Sequence, residues 1–306
     1  MKVSKLIWFL YCFLLFPGML YANSKPKILL INSDTSVQKY KLTQDEFVKA
    51  ISHPVLKVNL NEKRWKISDV EDLLYDEDPD LIYCIGSKAY FIANRYASKK
   101  DIVFSSIINW LRLPMTQKTY GVSNELYTGM QIMLFRYIFP NVKRIGVLYS
   151  KQYNSQWFKE TGDKAGEMGV KIIGQAVFNR DKDTISILKE LLDDIDFFWL
   201  ISDPVIMSDK KVLLKILKEC DAKKVPVFAY HDVFAKYGAV LIVSVDNQTI
   251  GRQAAGIATE VLSRDKMEEK VQFPAGSHII LNLKKIKEYD LEYKEEALGS
   301  VNYIIE

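Results

Sequence analysis

The chain has 306 residues and a formal net charge of only +4. A charge this small excludes the strongly basic surface with which proteins bind nucleic acid. Its three histidines and three cysteines lack the spacing of a metal site, so we expect neither a metal nor a cofactor. Cys84 and Cys220 are predicted to be buried free thiols in different parts of the fold.

The first predicted element is a secretory signal peptide at residues 1–22. Lys2 and Lys5 precede an apolar run from Leu6 to Leu20, and Ala22 is a small residue suited to a cleavage site. The run is short for a permanent anchor, which needs about 20 apolar residues, and an uncleaved anchor is the alternative. The sequence therefore predicts a periplasmic or extracellular protein.

Short apolar runs alternate with amphipathic stretches from residue 27 onwards, which indicates βαβ units and parallel sheets. The same order of runs occurs twice. The first half has runs at 27–32, 54–60, 80–86, 101–107 and 119–123, and the second half at 144–150, 170–177, 196–202, 225–231 and 239–245. The third run begins 53 residues after the first in one half and 52 residues after it in the other. We therefore predict two similar Rossmann-like α/β lobes.

Several stretches between these runs have helix signals. Asn154–Met168 ends at Gly169, which is a natural C-terminal stop. Asp183–Leu192 begins with an acidic residue and places Ile185, Leu188 and Leu192 on one face. Asn247–Ser263 opens with a capping asparagine and is rich in small residues, so we expect it to pack tightly on a neighbouring element.

Polar and aromatic residues follow the apolar runs in both halves. Ligands of an open parallel sheet bind outside the carboxyl ends of the strands, so two facing lobes would bring these residues to one cleft. The predicted ligand-binding residues are Ser33, Asp34, Gly86, Ser87, Ser106, Asn109, Tyr149, Ser150, Ser202, Asp203, Tyr230, Asp232 and Asp246. Each also has a structural explanation, because Ser and Asp are common helix caps and loops are polar.

Within this set we assign roles by chemistry. The Gly86-Ser87 pair is the sharpest candidate, because backbone N–H groups at the start of the next helix would hold a ligand carboxylate. A ligand amine would pair with Asp34, Asp203 or Asp232. Apolar walls would come from Trp110, Tyr149, Tyr153 and Tyr230.

No catalytic motif accompanies these residues. The sequence has no glycine-rich nucleotide loop after a strand and no nucleophile elbow. His231 stands beside Asp232 at a predicted strand end, but no nucleophile is marked for the pair. We therefore expect a binding protein with no catalytic residue. An exported enzyme that uses Asp34, Asp203, Asp232 or His231 is the alternative.

Six segments from both halves follow one known pattern, namely Asp78–Ala93, Tyr120–Glu125, Phe139–Ser150, Lys223–Asp232, Tyr237–Leu262 and Ile279–Tyr289. In this order they resemble the periplasmic substrate-binding proteins of ABC transporters with the type I Venus-flytrap fold. The most similar group is the uncharacterised one typified by tryptophan and tyrosine transporter components. The resemblance implies that the chain crosses between the lobes three times, near 119–124, 244–246 and 273–277. Lobe I would comprise 23–119 and 246–275, and lobe II would comprise 120–245 and 276–306.

The resemblance also implies a function. A monomer would capture an amino-acid-like or other small organic solute between lobes that close on a hinge, and would deliver it to a membrane permease with its ATPase. A membrane sensor protein as the partner is the alternative. The chain departs from the family's pattern at Ile108-Asn109-Trp110, where the family tends to have Asp-Pro, and in the short helix after the first strand. An aromatic amino acid ligand is therefore not carried over to this chain.

Overall fold

The structure is a computed structural model that describes residues 26–62, 67–178 and 184–306. The predicted signal peptide at 1–22 and the first residue of the helix predicted at Asp183–Leu192 lie outside these ranges. None of the helices in the described ranges is long and apolar enough to cross a bilayer.

The first sheet is formed entirely by parallel strands. They are β1 (Ile28–Asn32), β2 (Val55–Asn59), β3 (Leu81–Ile85), β4 (Asp101–Ser105), β5 (Thr119–Val122) and β11 (Val271–Gln272). Their order in the sheet is β2-β1-β3-β4-β5-β11. All residues of β1 and β3 are buried, because helices cover both faces of a parallel sheet.

The second sheet repeats this arrangement. Its strands are β6 (Arg144–Ser150), β7 (Lys171–Val177), β8 (Phe197–Leu200), β9 (Val227–Ala229), β10 (Leu241–Val245), β12 (Ser277–Asn282) and β13 (Tyr303–Ile305). Their order is β7-β6-β8-β9-β10-β12-β13, and β12 is antiparallel to β10. The first five strands of each sheet thus share the order 2-1-3-4-5, which confirms the prediction of two similar parallel-sheet lobes.

Helices connect the strands of both sheets. They are α1 (Gln38–Ala50), α2 (Ile67–Glu77), α3 (Ser87–Tyr96), α4 (Thr128–Ile138), α5 (Lys151–Glu167), α6 (Thr184–Leu192), α7 (Pro204–Met207), α8 (Lys210–Ala222), α9 (Asn247–Ser263) and α10 (Leu283–Tyr289). Short 3-10 turns occur at Trp110–Arg112, Asp232–Tyr237 and Glu295–Ser300.

Two predicted helix starts need correction. Helix α5 begins at Lys151 rather than Asn154, because it follows directly from the last residue of β6. Helix α9 has the predicted bounds, but its N-cap is Asp246 and not Asn247. The Asp246 carboxylate accepts hydrogen bonds from the backbone N–H groups of Gln248 and Thr249 at 3.2 Å, as an N-cap does.

The chain passes between the two sheets three times. The crossings lie between β5 and α4, between β10 and α9, and between β11 and β12. The predicted start of lobe II at residue 120 is a few residues too early, because β5 pairs with β4 in the first sheet up to Gly121 and ends at Val122. Cys84 in β3 and Cys220 in α8 are buried and unpaired, and burial raises the pKa of both thiols.

Helix α9 packs against α1 at a point of close backbone approach. A Cβ atom at Gly251 would collide with the main-chain oxygen of Thr43 in α1. We expect Gly251→Ala to lower the free energy of unfolding by about 1–3 kcal/mol, as overpacking does. Gly256→Ala in the same helix is the control, because within the described residues nothing outside the local helix backbone lies within 4 Å of its added Cβ. It should stabilise by roughly 0.5–1 kcal/mol through helix propensity. Urea unfolding of both variants checks this, and a gain from Gly251→Ala would contradict the close approach.

Candidate ligand-binding site between the lobes

A cavity of about 320 Å³ lies between the lobes, beside the crossing segments. The first lobe contributes Asn109 and the 3-10 turn Trp110–Arg112 that follows β4. The first crossing contributes residues 124–128, and the third contributes Phe273. The second lobe contributes α5 and the ends of its central strands. Pockets for small molecules typically have volumes of about 300 to 1,000 Å³, so this cavity suits one small solute.

Aromatic side chains from both lobes form most of the apolar wall. They are Trp110, Tyr127, Tyr153, Trp157, Trp199, Tyr230 and Phe273. Trp157 meets Trp199 edge to face with ring centroids 5.4 Å apart. The Arg112 guanidinium of the first lobe lies 4.0 Å from the ring centroid of Tyr153 in the second lobe, which is a cation–π contact across the cleft. Flat apolar groups fit such walls.

One carboxylate stands among these rings. Glu125 lies in the first crossing, and its oxygens accept hydrogen bonds from the Asn109 backbone N–H and, at 2.9 Å, from the hydroxyl of the buried Ser123. Asn109 has the left-handed backbone angles φ 58° and ψ 45°, which asparagine tolerates. Glu125 therefore ties the crossing segment to the turn that carries Trp110 and Arg112.

Burial shapes the electrostatics of this wall. Burial raises the pKa of Glu125, and the hydrogen bonds from Asn109 and Ser123 oppose that shift only partly. Asn124 also lines the cavity, and its buried Oδ1 has no hydrogen-bond partner among the described residues. Burial raises the pKa of Tyr230 to about 12, so its hydroxyl is neutral at physiological pH. The wall therefore offers the Glu125 carboxylate as an acceptor, together with neutral groups such as the Tyr230 hydroxyl that can donate as well as accept.

Charged side chains at the edge of the cavity are more exposed. Lys164 lies 4.4 Å from the ring centroid of Tyr127, and the Glu160 carboxylate accepts a hydrogen bond of 2.9 Å from Gln156.

Across residues 26–62, 67–178 and 184–306, no group of three or more His, Cys, Asp or Glu side chains is placed to hold a metal ion.

The structure brings part of the predicted site together. Asn109, Ser202 and Tyr230 line the cavity, as do the predicted wall residues Trp110 and Tyr153. These residues come from the ends of strands in both lobes, so the expectation that facing strand ends share a cleft accounts for their position. Their contact with a ligand remains a prediction.

Tyr149, Ser150 and Asp203 do not line this cavity. Tyr149 stacks on Phe158 with ring centroids 4.4 Å apart. Asp203 is fully buried, and its carboxylate accepts hydrogen bonds from the backbone and hydroxyl of Ser150, both at 2.7 Å, and from Asn154 at 2.6 Å. The same carboxylate caps α7. Internal donors already surround this carboxylate, and its pairing with a ligand amine stays a prediction.

The predicted first-lobe residues near β1 and β3 also lie away from the cavity wall. The Ser33 hydroxyl accepts a hydrogen bond of 3.0 Å from the backbone N–H of Ala89, which uses one donor of the α3 start. Gly86 has φ +83°, and Ser87 is exposed. The Ser36 side chain and backbone donate to Asp34 and hold its pKa below the usual range. Local capping accounts for most of these positions.

The remaining predicted residues have local roles as well. Ser106 is 4% exposed in a left-handed conformation at φ 59°. Asp232 lies 3.0 Å from Nδ1 of His231, which lowers the pKa of the carboxyl. Asp246 caps α9, as described above. None of these three lines the cavity.

Sequence reasoning missed several residues of the cavity wall. Asn124 and Glu125 end the Tyr120–Glu125 segment of the resemblance, beside the predicted first crossing, and were not assigned to the site. A charged residue next to a hinge was a usable signal. Trp157 lies on α5, and Trp199 is a strand residue that the apolar run did not distinguish from core. Arg112 followed the predicted Asn109-Trp110 pair, and its contact with Tyr153 depends on how the lobes face each other.

Solved structures support the fold across nearly the whole chain. The ligand-free, open structure of a substrate binding protein with adhesive properties from Clostridium difficile has a TM-score of 0.70 at 16% identity, over 92% of this chain and 99% of that chain. An ABC domain in complex with L-Trp from Streptococcus pneumonia has a TM-score of 0.60 at 18% identity, over 91% and 100%. A conserved domain protein from Vibrio cholerae has a TM-score of 0.61 at 16% identity, over 92% of this chain and 99% of that chain. At such identities the likeness shows the fold.

The sequence itself carries the family signal. No curated protein matches it. A family model described as ABC transporter substrate binding protein matches residues 54–303, which span both lobes and all three crossings. With its two lobes and the cavity between them, this chain belongs to the ABC transporter substrate binding protein family and is a solute-binding protein.

Proposed function

We propose that the cavity between the lobes binds one small organic solute that has a flat apolar part, with an aromatic amino acid or a related compound as the first class to test. The observation that carries this proposal is the ring of aromatic side chains, contributed by both lobes, around a space of about 320 Å³. The L-Trp held by the Streptococcus pneumonia structure of the same fold supports this choice. Within the cavity, Asn109, Ser202 and Tyr230 are proposed to contact the solute.

The proposed route is export, capture and delivery. The segment at 1–22 directs the chain to the periplasm or the cell exterior, where the protein acts as a monomer and passes its solute to a membrane permease with its ATPase. The family match supports an ABC transporter as the partner. Contact between Arg112 and Tyr153 across the cleft would favour the closed arrangement of the lobes, and a solute that touches both walls would add to that preference.

A thermal-shift screen of amino acids, aromatic amines, nucleosides and small organic acids tests the proposal. A bound solute should stabilise the protein by about 2.7 kcal/mol at a hundredfold excess over its dissociation constant, and so raise the melting temperature. We expect Trp157→Ala to lose most of that shift, because Trp157 forms part of the cavity wall.

Tyr75→Ala is the control for this screen. Tyr75 is 85% exposed and does not line the cavity, so its removal should leave the ligand-induced shift unchanged. If no solute class raises the melting temperature of the wild type, the proposed solute binding is contradicted. If Trp157→Ala keeps the full shift, the solute binds elsewhere.

A further inference from the structure

We propose that Glu125 and Asn124 recognise a protonated primary or secondary amine of the solute, so that the ligand class is an organic amine with a flat apolar group. This inference deepens the proposed function and rests on it.

Glu125 has capacity left for a donor. The carboxylate accepts from the Asn109 backbone N–H, from the Ser123 hydroxyl and from the backbone of Glu125 itself. A carboxylate has about four acceptor positions, so one remains for a ligand donor. None of these donors is charged, and no cationic side chain of the described residues pairs with Glu125. A buried carboxylate without a cationic partner raises the free energy of the folded protein, and a bound cation lowers it again.

The side-chain oxygen of Asn124, the residue before Glu125, lacks a hydrogen-bond donor among the described residues. This oxygen is buried at the cavity wall. A hydrogen bond from a ligand would remove the free-energy cost of leaving this buried acceptor unpaired. A quaternary ammonium has no N–H to donate, whereas a primary or secondary ammonium has at least two N–H groups, one for each acceptor. The adjacent positions of the two residues in the chain keep both acceptors on one segment.

A carboxylate-only ligand fits this wall poorly. Its charge would face Glu125 across a small cavity, where like charges repel strongly. The exposed Arg112 lies over the Tyr153 ring and Lys164 lies over the Tyr127 ring, so the cations belong to the edge of the cavity rather than to its inner wall. The aromatic walls would stabilise an ammonium group further, because ring faces attract cations.

Calorimetric titration with matched probes tests the inference. Tryptamine carries the amine alone, indole-3-propionate carries the carboxylate alone, and L-tryptophan carries both. Phenethylamine and 3-phenylpropionate repeat the comparison with a smaller ring. We expect the amines and L-tryptophan to bind, and each carboxylate-only probe to bind at least about tenfold more weakly, as loss of a charge-assisted contact implies.

Glu125→Gln separates recognition of the amine by the Glu125 charge from the hydrogen bond that holds the turn at Asn109. The amide keeps an oxygen that can accept from the Asn109 N–H, so the cavity turn should hold its place, but the negative charge is gone. We expect this variant to weaken amine binding at least about tenfold and to leave or improve binding of the carboxylate-only probes. Glu167→Gln is the matched control, because Glu167 is an exposed carboxylate on α5 that does not line the cavity. It should change amine affinity by less than about threefold.

The outcomes distinguish this inference from the proposed function. Amine binding that Glu125→Gln leaves unchanged, or carboxylate-only probes that bind as tightly as the amines, would overturn the amine assignment. Amines that fail to bind would also overturn it, and solute binding would still stand if another compound gives a shift that Trp157→Ala removes. A protein that no compound of the panel stabilises would contradict both proposals.

Discussion

Replacing Asp203 by alanine is expected to lower the free energy of unfolding by about 4 kcal/mol, because each buried donor left unpaired costs roughly 1–3 kcal/mol. The Asp203 carboxylate accepts from two groups of Ser150, from Asn154, and from the backbone N–H groups of Val205 and Ile206. It joins the end of β6, the first turns of α5 and the start of α7 in one network. Alanine removes the acceptor from all of them at once. Urea unfolding of the variant and the wild type measures the effect.

Asp209→Ala is the matched control. Asp209 also caps a helix, and its carboxylate accepts from the backbone N–H groups of Lys211 at 2.8 Å and Val212 at 3.3 Å. It is partly exposed, so water can replace the lost acceptor, and the usual cost of a removed cap is about 1 kcal/mol. Equal losses for the two variants would show that the buried network adds nothing beyond capping.

Phe135→Ala is expected to destabilise the second lobe by about 4 kcal/mol, as large-to-small changes in a packed core do. Phe135 on α4 is fully buried, and its ring centroid lies 4.7 Å from that of Phe197 and 5.5 Å from that of Phe228. Phe228 in turn stacks on Trp199, which lines the cavity. The void left by alanine would therefore loosen both the core of the lobe and one wall of the cavity.

Hydrogen exchange read lobe by lobe measures this effect. Amides of the second sheet should lose protection in Phe135→Ala, while those of β1 and β3 keep theirs, because the cores of the two lobes are separate clusters. Met133→Ala on the same helix is the control. Met133 is 57% exposed, and its removal should change stability by less than about 0.5 kcal/mol. Loss of protection in both lobes together would show that they unfold as one unit.

The candidate site was only partly predictable from sequence. The predicted strands lie within two residues of the observed ones, because continuous apolar runs such as 80–86 are typical of buried parallel strands. The residues that follow them, such as Ser33 and Asp203, are equally suited to capping and to binding, and a single sequence holds no signal that separates the two uses. Helix and strand positions determine which use occurs, because a carboxylate surrounded by backbone donors has little capacity left for a ligand.

The sequence by itself determined the order of strands and helices, the repetition of one lobe and the family, since periodicity and spacing are properties of the chain. Only the tertiary structure decided which polar groups reach the cavity. Glu125 and Asn124 stand on the inner wall because the first crossing runs beside the turn at Asn109, and Arg112 contacts Tyr153 because the lobes face each other. Such contacts join residues that are distant along the chain, and local pattern carries no information on them.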